Sequence, residues 1–226
     1  MTLALVTGAS RGIGRATALG FARRQVDLVL LGRVSDALEQ TAHEARALGR
    51  QVEIVPCDLE DAAQVQGAAD AVAARPAPDV IVHNAAVIFR KSVEDTTLEE
   101  WDRQLAVNLR APFLLTRALL PAMKRRGSGR IVFVGSISAT LGTARSAPYN
   151  ASKWAVSGFM KSLAQELTDT GVMTVAVLPG SVATTMLNGS GFEPRMTPED
   201  VARTLVHYGL DAPLAHNGGV VEMFGT

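Results

Sequence analysis

The sequence predicts an α/β fold, a doubly wound parallel sheet with helices on both faces. Three observations carry that prediction. Short β-branched or leucine-rich runs recur about 25 residues apart at Leu3–Thr7, Asp27–Leu31, Val52–Pro56 and Asp79–His83. Continuous apolar runs of that length suit strands covered on both sides. Between them lie alanine-rich stretches with helical spacing, such as Ala16-Leu19-Gly20-Ala22 and Ala37-Leu38-Thr41-Ala42-Ala45, each able to bury one stripe. Strand then helix, repeated, produces parallel sheet. Finally, the first run leads directly into a glycine-rich turn, the position at which such sheets bind ligands beyond the carboxyl ends of their strands.

The pattern continues to the end of the chain. A long helical segment is expected from about Leu98 to Arg126, then a strand Arg130–Val134 and a helix from about Pro148 to Thr170. A strand Met173–Leu178, a helix from about Pro198 and a last strand Gly219–Met223 complete the set. The stretch from Gly180 to Pro198, with Gly189, Gly191 and Pro194, lacks periodicity and is long for an ordinary connection, which points to a functional loop. No Ser- or Pro-rich linker divides the chain, so residues 1–226 are expected to form one domain.

Composition excludes several function classes. Lys+Arg and Asp+Glu both total 22, so there is no overall charge to draw nucleic acid or anionic lipid. Lys124-Arg125-Arg126 is a basic run, but cations near a helix C-terminus oppose its dipole favourably and are usually solvated. Hydrophobic residues make up 47% and charged residues 19%, which separates the chain from disordered sequences. Cys57 is the only cysteine, so neither an internal disulfide nor a thiolate metal cluster is expected. Its reading is a small buried hydrophobe. His43, His83, His207 and His216 show no ligand spacing, and no metal is expected. With no apolar run long enough to cross a bilayer and no basic segment before the first apolar run, a cytoplasmic protein is expected.

The first turn reads Thr7-Gly8-Ala9-Ser10-Arg11-Gly12-Ile13-Gly14. Glycines there permit a tight turn and close backbone approach, and the free amides at the following helix N-terminus attract phosphate oxygens. Neither the Gly-x-x-x-x-Gly-Lys-Ser/Thr loop of triphosphate enzymes nor the Gly-x-Ser-x-Gly elbow of hydrolases occurs. A second constellation is Tyr149-Asn150-Ala151-Ser152-Lys153, whose i, i+4 spacing places a phenol and an ammonium on one helix face. A nearby cation favours the phenolate. The chain has only four lysines and two tyrosines, so the pair does not come from a lysine-rich background.

The spacing Thr7-Gly8-x-x-x-Gly12-x-Gly14 resembles that of the short-chain dehydrogenase/reductase family. Asn84-Ala85-Ala86, with His83 where that family usually has a further Asn, follows in order. So do Asn108, Ser136, Tyr149, Lys153 and Pro179-Gly180. The likeness covers nearly the whole chain and includes 3-oxoacyl-[acyl-carrier-protein] reductase-like members. It implies a Rossmann-like fold and hydride transfer between a nicotinamide and a carbonyl or secondary alcohol. Tyr149 is then the general acid or base, and Lys153 its partner and a ligand of the nicotinamide ribose. Ser136 donates to the substrate oxygen, with Ser138 as the alternative serine and turn capping as the alternative role. Asn108 holds a relay water, or else satisfies backbone groups at a helix irregularity.

The resemblance likewise implies a cofactor cradle of Gly8, Ser10, Arg11, Gly12, Ile13, Gly14, Asn84, Tyr149, Lys153, Pro179, Gly180, Val182 and Thr184. Asp58 and Leu59 fall where the family binds adenine, although Asp58 also reads as a helix N-cap. Relatives that prefer NAD carry an acid at the end of the second strand. Here Leu31-Gly32-Arg33 has none, and Arg33 with Arg11 suits a 2′-phosphate, so NADP(H) is expected over NAD(H). The substrate is expected to be a small or carrier-bound carbonyl compound, above all a 3-oxoacyl thioester or related ketone. Only thirteen residues separate Thr184 from Pro198, which implies a short lid and an open cleft with Met186, Leu187, Phe192 and Met196 either lining it or packing the loop. A homo-oligomer, tetramer or dimer, is expected through the two long helices, with Trp101, Phe113, Trp154 and Phe159 as interface or core residues. The competing readings are a non-catalytic NADP(H)-binding sensor, which needs no Tyr-Lys pair, and a methyltransferase, which does not explain one.

Overall fold

The computed structural model describes residues 2–225, so the expected domain limits at 1 and 226 lie outside the described residues. Seven strands form one parallel sheet: β1 (Leu3–Thr7), β2 (Asp27–Gly32), β3 (Val52–Pro56), β4 (Val80–His83), β5 (Gly129–Val134), β6 (Val172–Pro179) and β7 (Gly219–Met223). Their order is β3-β2-β1-β4-β5-β6-β7. Leu5 of β1 therefore pairs with Val29 on one side and Ile81 on the other. The winding reverses between β1 and β4, which opens a crevice at their carboxyl ends.

Alternation along each strand divides the core into two layers. Leu5, Ile81, Ile131 and Phe133 pack on helices α3 (Ala62–Ala73), α5 (Ala111–Arg126) and α6 (Ala147–Glu166) through Val65, Leu115 and Met160. Val6, Val82 and Val132 face α1 (Gly12–Arg23), α2 (Asp36–Ala47) and α7 (Pro198–Leu210) through Phe21, Leu38 and Leu205. Each fully buried Leu, Ile or Phe contributes about 1.5–3 kcal/mol relative to exposure. Both faces thus lock the register that carries β1 and β4 to the crevice. Among the described residues, no helix is long and apolar enough to cross a membrane.

Two helices depart from expectation. The continuous helix from Leu98 to Arg126 is instead α4 (Leu98–Leu105), a π-helical turn at Ala106–Arg110, and α5. Pro112 explains the break: it has no N–H to offer the carbonyl of Asn108, four residues earlier. The Ala111 N–H instead reaches back five residues to the Ala106 carbonyl. Helix α6 stops at Glu166 rather than near Thr170, and Asp169 then adopts a left-handed φ of 62°.

Candidate active site

The glycine turn after β1 is held by a single asparagine. Asn84, at the end of β4, donates through Nδ2 to the Thr7 carbonyl at 2.9 Å and the Gly8 carbonyl at 3.2 Å. The Thr7 hydroxyl accepts the Asn84 and Ala85 amides, each at 3.0 Å. A Cβ on Gly14 would lie 2.3 Å from the Gly8 carbonyl oxygen and 2.4 Å from Asn84 Nδ2, so only glycine fits. Gly8 and Gly12 both have positive φ, at 69° and 53°. Asn84 thus spends its side-chain amide on building the turn.

The open end of α1 suits a diphosphate. Its N-cap, Arg11, makes no side-chain cap, and the first turn contains no acid. Unsatisfied amides and the positive end of the helix dipole therefore face the crevice. Arg11 and Arg33 are exposed and form no ion pair among the described residues, whereas Arg15 beside them is paired with Glu44 at 2.6 Å. Asp58 binds the Glu60 amide at 3.0 Å through Oδ1. It does not cap α3; that role falls to Asp61, which accepts the Ala63 and Gln64 amides. Leu59 and Cys57 are buried next to it, and burial together with Asp58 and Asp61 pushes the Cys57 thiol up to about 11. The cysteine is an inert core residue, as its surroundings in the sequence suggest.

On the other side of the crevice, the segment after β6 folds back over the turn. Val182 bridges to Met196, and the Ala183 amide donates to the Met196 carbonyl at 2.9 Å. The Thr184 methyl lies 3.1 Å from where a Gly12 Cβ would stand. The Gly180 amide binds the Met223 carbonyl at 2.8 Å, which anchors the Pro179-Gly180 corner to β7. The Val182 N–H finds no acceptor among the described residues. A short 3-10 turn, Thr185–Leu187, then brings Met186 Sδ to 4.0 Å from the Tyr149 phenol. Of the four expected lid residues, Met186 is thus placed at the phenol. Met196 is buried in the core, while Phe192 is exposed on the loop.

Tyr149 and Lys153 share one face of α6, with Lys153 Nζ 5.5 Å from the phenol ring centroid. Both are buried. Nζ donates to the Val134 carbonyl at the end of β5, at 2.8 Å, which locks the ammonium beneath the phenol. Burial drives the Lys153 pKa down from 10.5 to about 8. Burial also raises the Tyr149 phenol above its ordinary value, opposed by the Ser136 hydroxyl and the charge of Arg90. Spacing alone suggested that Lys153 lowers the phenol; in the folded chain desolvation wins, and the one opposing cation and one opposing donor are Arg90 and Ser136. Ser136 takes the capping role expected of it. Its oxygen caps the turn at Ile137–Ala139 by accepting the Ser138 amide at 3.1 Å, which leaves its own hydrogen free to donate near Tyr149. Ser138 itself lies within that turn.

Asn108 sits in the π turn and is 2% exposed. Its side chain accepts the Val87 amide at 2.9 Å, and donates to the Val87 carbonyl and the Ser152 hydroxyl at 3.0 Å each. Ser152, one residue before Lys153, bonds back to the Tyr149 carbonyl at 2.7 Å. The side chain of Asn108 is therefore spent on fixing α6 to the loop after β4. Its backbone carbonyl receives no N–H from Pro112, four residues on. Residues the sequence did not reveal complete the site. Gln104, fully buried, accepts the Phe89 amide at 3.2 Å. Arg90 then reaches Ser146 and Met186. An arginine in a loop carries no spacing signal, which is why it was missed.

His83 is buried against Phe133, with ring centroids 4.8 Å apart, and its Nε2 lies 2.9 Å from the Thr116 hydroxyl. Burial drives its pKa to about 3, so it is neutral and structural. Among the described residues, no group of three or more His, Cys, Asp or Glu forms a metal cluster.

A glycine-turn crevice with a Tyr-Lys pair across it defines a dinucleotide-dependent oxidoreductase site. The family model for short chain dehydrogenases matches residues 2–193. The chain belongs to that family and is an oxidoreductase acting on CH–OH or C=O groups. It is 34% identical to an uncharacterized oxidoreductase of Staphylococcus haemolyticus over 93% of this chain and 91% of that one. Identity to a 3-oxoacyl-[acyl-carrier-protein] reductase of Synechocystis is 33%, over 96% of this chain and 92% of that one. A crystal structure from Beutenbergia cavernae superposes with a TM-score of 0.92 at 35% identity, covering 98% of this chain and 94% of that one. That protein, provisionally assigned as an NAD(P)-dependent gluconate 5-dehydrogenase, holds NADP at low occupancy.

Proposed function

We propose that residues 1–226 form a single catalytic domain that transfers hydride between NADP(H) and a ketone or secondary alcohol, with Asn108, Ser136, Tyr149 and Lys153 as its machinery. The observation that carries this reading is the buried Tyr149–Lys153 stack beside Ser136, facing the glycine turn across the Thr184–Met186 segment. The cradle fits the cofactor. The α1 amides take the diphosphate, Arg11 and Arg33 take a 2′-phosphate, and the free Val182 N–H and Thr184 hydroxyl suit the carboxamide. Bound there, the nicotinamide supplies or accepts the hydride.

The chain's own groups handle the proton. With its pKa raised, Tyr149 is protonated at neutral pH and donates to the carbonyl oxygen during reduction. Ser136 donates a second hydrogen bond to that oxygen, where charge grows. Lys153, with a pKa near 8, exchanges protons readily and passes one toward the phenol. Asn108, whose backbone carbonyl receives no N–H from Pro112, orients a water behind Lys153. Met186 covers the phenol and limits bulk water.

A 3-oxoacyl thioester fits the open cleft and the Synechocystis relative; a sugar acid fits the Beutenbergia one. The experiment is NADPH consumption against a panel of ketones and 3-oxoacyl thioesters, repeated with NADH. Higher kcat/KM with NADPH is expected, and Arg33→Asp should lose at least about tenfold of that preference, the size of one charge-assisted contact. An NADH preference in the unaltered chain overturns the cofactor assignment.

We also propose that two copies pair through the α4–α6 face. Leu109, Phe113, Ala155 and Phe159 form an apolar hollow there, Phe113 stacking edge-on against Phe159, and Trp101 and Trp154 remain exposed. Light scattering should show a dimer or tetramer; a monomer at micromolar concentration refutes it.

A further inference from the structure

The proton donor of the site has a sulfur for a neighbour. Met186 Sδ lies 4.0 Å from the Tyr149 phenol, and a thioether is a weak acceptor that leaves the O–H available to a substrate oxygen. The Met186 backbone is fixed on both sides. Its carbonyl accepts Arg90 Nη2 at 3.1 Å, and the Leu187 amide closes the short turn onto the Thr184 carbonyl at 3.0 Å. Arg90 stands on a loop that is itself clamped, with Val87 held at its N–H and its C=O by Asn108 and the Phe89 amide held by buried Gln104. The sulfur is thereby kept at the phenol, while its unbranched side chain stays adaptable.

Met186 also differs from the other sulfur-bearing residues in what can reach it. Met123, Met160 and Met173 are fully buried, and Met196 lies in the core. Met223 is half-buried, but it packs against the core layer beneath α1, α2 and α7. Cys57 is buried and its thiol stands at about 11, so at neutral pH it offers almost no thiolate to an oxidant. Met186 is half-buried on the lid, at the edge of the space that a carbonyl enters to meet the phenol. Hydrogen peroxide is smaller than any ketone. A path that admits substrate to Tyr149 therefore admits peroxide to the sulfur beside it.

We propose that Met186 is an oxidation site that turns the enzyme off: a peroxide converts its thioether to the sulfoxide, and the new oxygen takes the Tyr149 hydrogen bond that the substrate needs. The inference rests on the oxidoreductase reading above. The step balances. A sulfur lone pair attacks one peroxide oxygen, the S–O bond forms as the O–O bond breaks, sulfur gives up two electrons, and the second oxygen leaves as water with both peroxide protons. An oxygen on Sδ stands one bond length nearer the phenol, within reach of an O–H···O bond of about 2.5–3.0 Å. A sulfoxide oxygen accepts and cannot donate, so it holds the phenol protonated and occupied, against both proton donation to a ketone and proton uptake from an alcohol. Sulfoxide reductases return the thioether, one enzyme for each epimer, which makes the block reversible.

The test exposes the enzyme to hydrogen peroxide, removes the oxidant, and follows NADPH-dependent ketone reduction beside peptide mass spectrometry. Met186 should gain one oxygen ahead of the buried methionines. In step with it, kcat/KM should fall about tenfold, the size of one hydrogen bond that a carbonyl has to displace, with the circular dichroism unchanged. The two epimer-specific methionine sulfoxide reductases should restore activity, and dithiothreitol alone should not. Met186→Leu, compared with its own untreated activity, should keep that activity through the same exposure, whereas Met223→Leu should stay as sensitive as the unaltered chain. Full turnover with Met186 oxidised overturns the proposal, as does equal loss in Met186→Leu or recovery with dithiothreitol alone, which assigns the effect to Cys57. Each of those results leaves the oxidoreductase reading standing, because the untreated chain still reduces a ketone. An untreated chain that reduces none removes that reading and the switch together.

Discussion

Replacing Tyr149 by Phe should lower kcat/KM about 10³–10⁴-fold, the contribution of a positioned proton donor, while leaving the affinity for NADPH unchanged. The structure makes this substitution a clean one. The phenol oxygen lies 4.0 Å from a thioether, an interaction too weak to hold the fold. The ring is buried and stays in place in Phe, so α6 and the contact with Lys153 persist. Steady-state kinetics and quenching of NADPH fluorescence measure the two quantities separately. Undiminished turnover would remove Tyr149 from the mechanism, and lost cofactor binding would show that the phenol holds the nicotinamide side of the site together.

Lys153→Met carries the second large effect, in two directions at once. Activity should fall at least a hundredfold, because the proton path to the phenol is cut. Stability should rise. Folding lowers the Lys153 pKa from 10.5 to about 8, so below pH 8 both the folded and unfolded chains carry the charge and the full cost of burying it is present. Between pH 8 and 10.5 the unfolded chain holds more protons, and stability climbs with pH; above 10.5 the cost is gone. After subtracting the lost hydrogen bond to Val134, the variant should gain about 1–2 kcal/mol at neutral pH. A rise in Tm of a few degrees at pH 7 that vanishes near pH 11 confirms it; a lower Tm at pH 7 would mean that the Val134 contact dominates. On the proposed mechanism, the same balance accounts for a destabilising residue in the site, a desolvated cation kept for proton transfer.

Much of this molecule was legible before it folded. The five central strands fall within one or two residues of their expected positions because a strand buried on both faces writes itself as a nearly continuous apolar run; the edge strands β3 and β7, which carry Glu53 and Glu222, are partly exposed. The glycine turn was equally plain, since a position that admits no Cβ leaves only one residue type. Gly14, with two atoms inside 2.5 Å of any Cβ, is the extreme case. Tyr149 and Lys153 announced themselves through helical spacing, which is local.

Other parts depended on distance. The break at Asn108 follows from Pro112, yet its purpose shows only when Val87 and Ser152, far apart in sequence, meet one amide. Asp58 looked like a cap until Asp61 took the α3 amides. The phenol's pKa moved opposite to what a neighbouring lysine suggests, because burial is a property of the whole packed core and cannot be read from an i, i+4 pair. Arg90 is the sharpest instance. Chain order alone determined a parallel sheet, a glycine turn and a Tyr-Lys pair on one helix face, each written in spacing of a few residues. Which charge stands beside that pair was decided only by folding, because a loop residue acquires its neighbours from elements that the chain reaches 56 and 96 residues later.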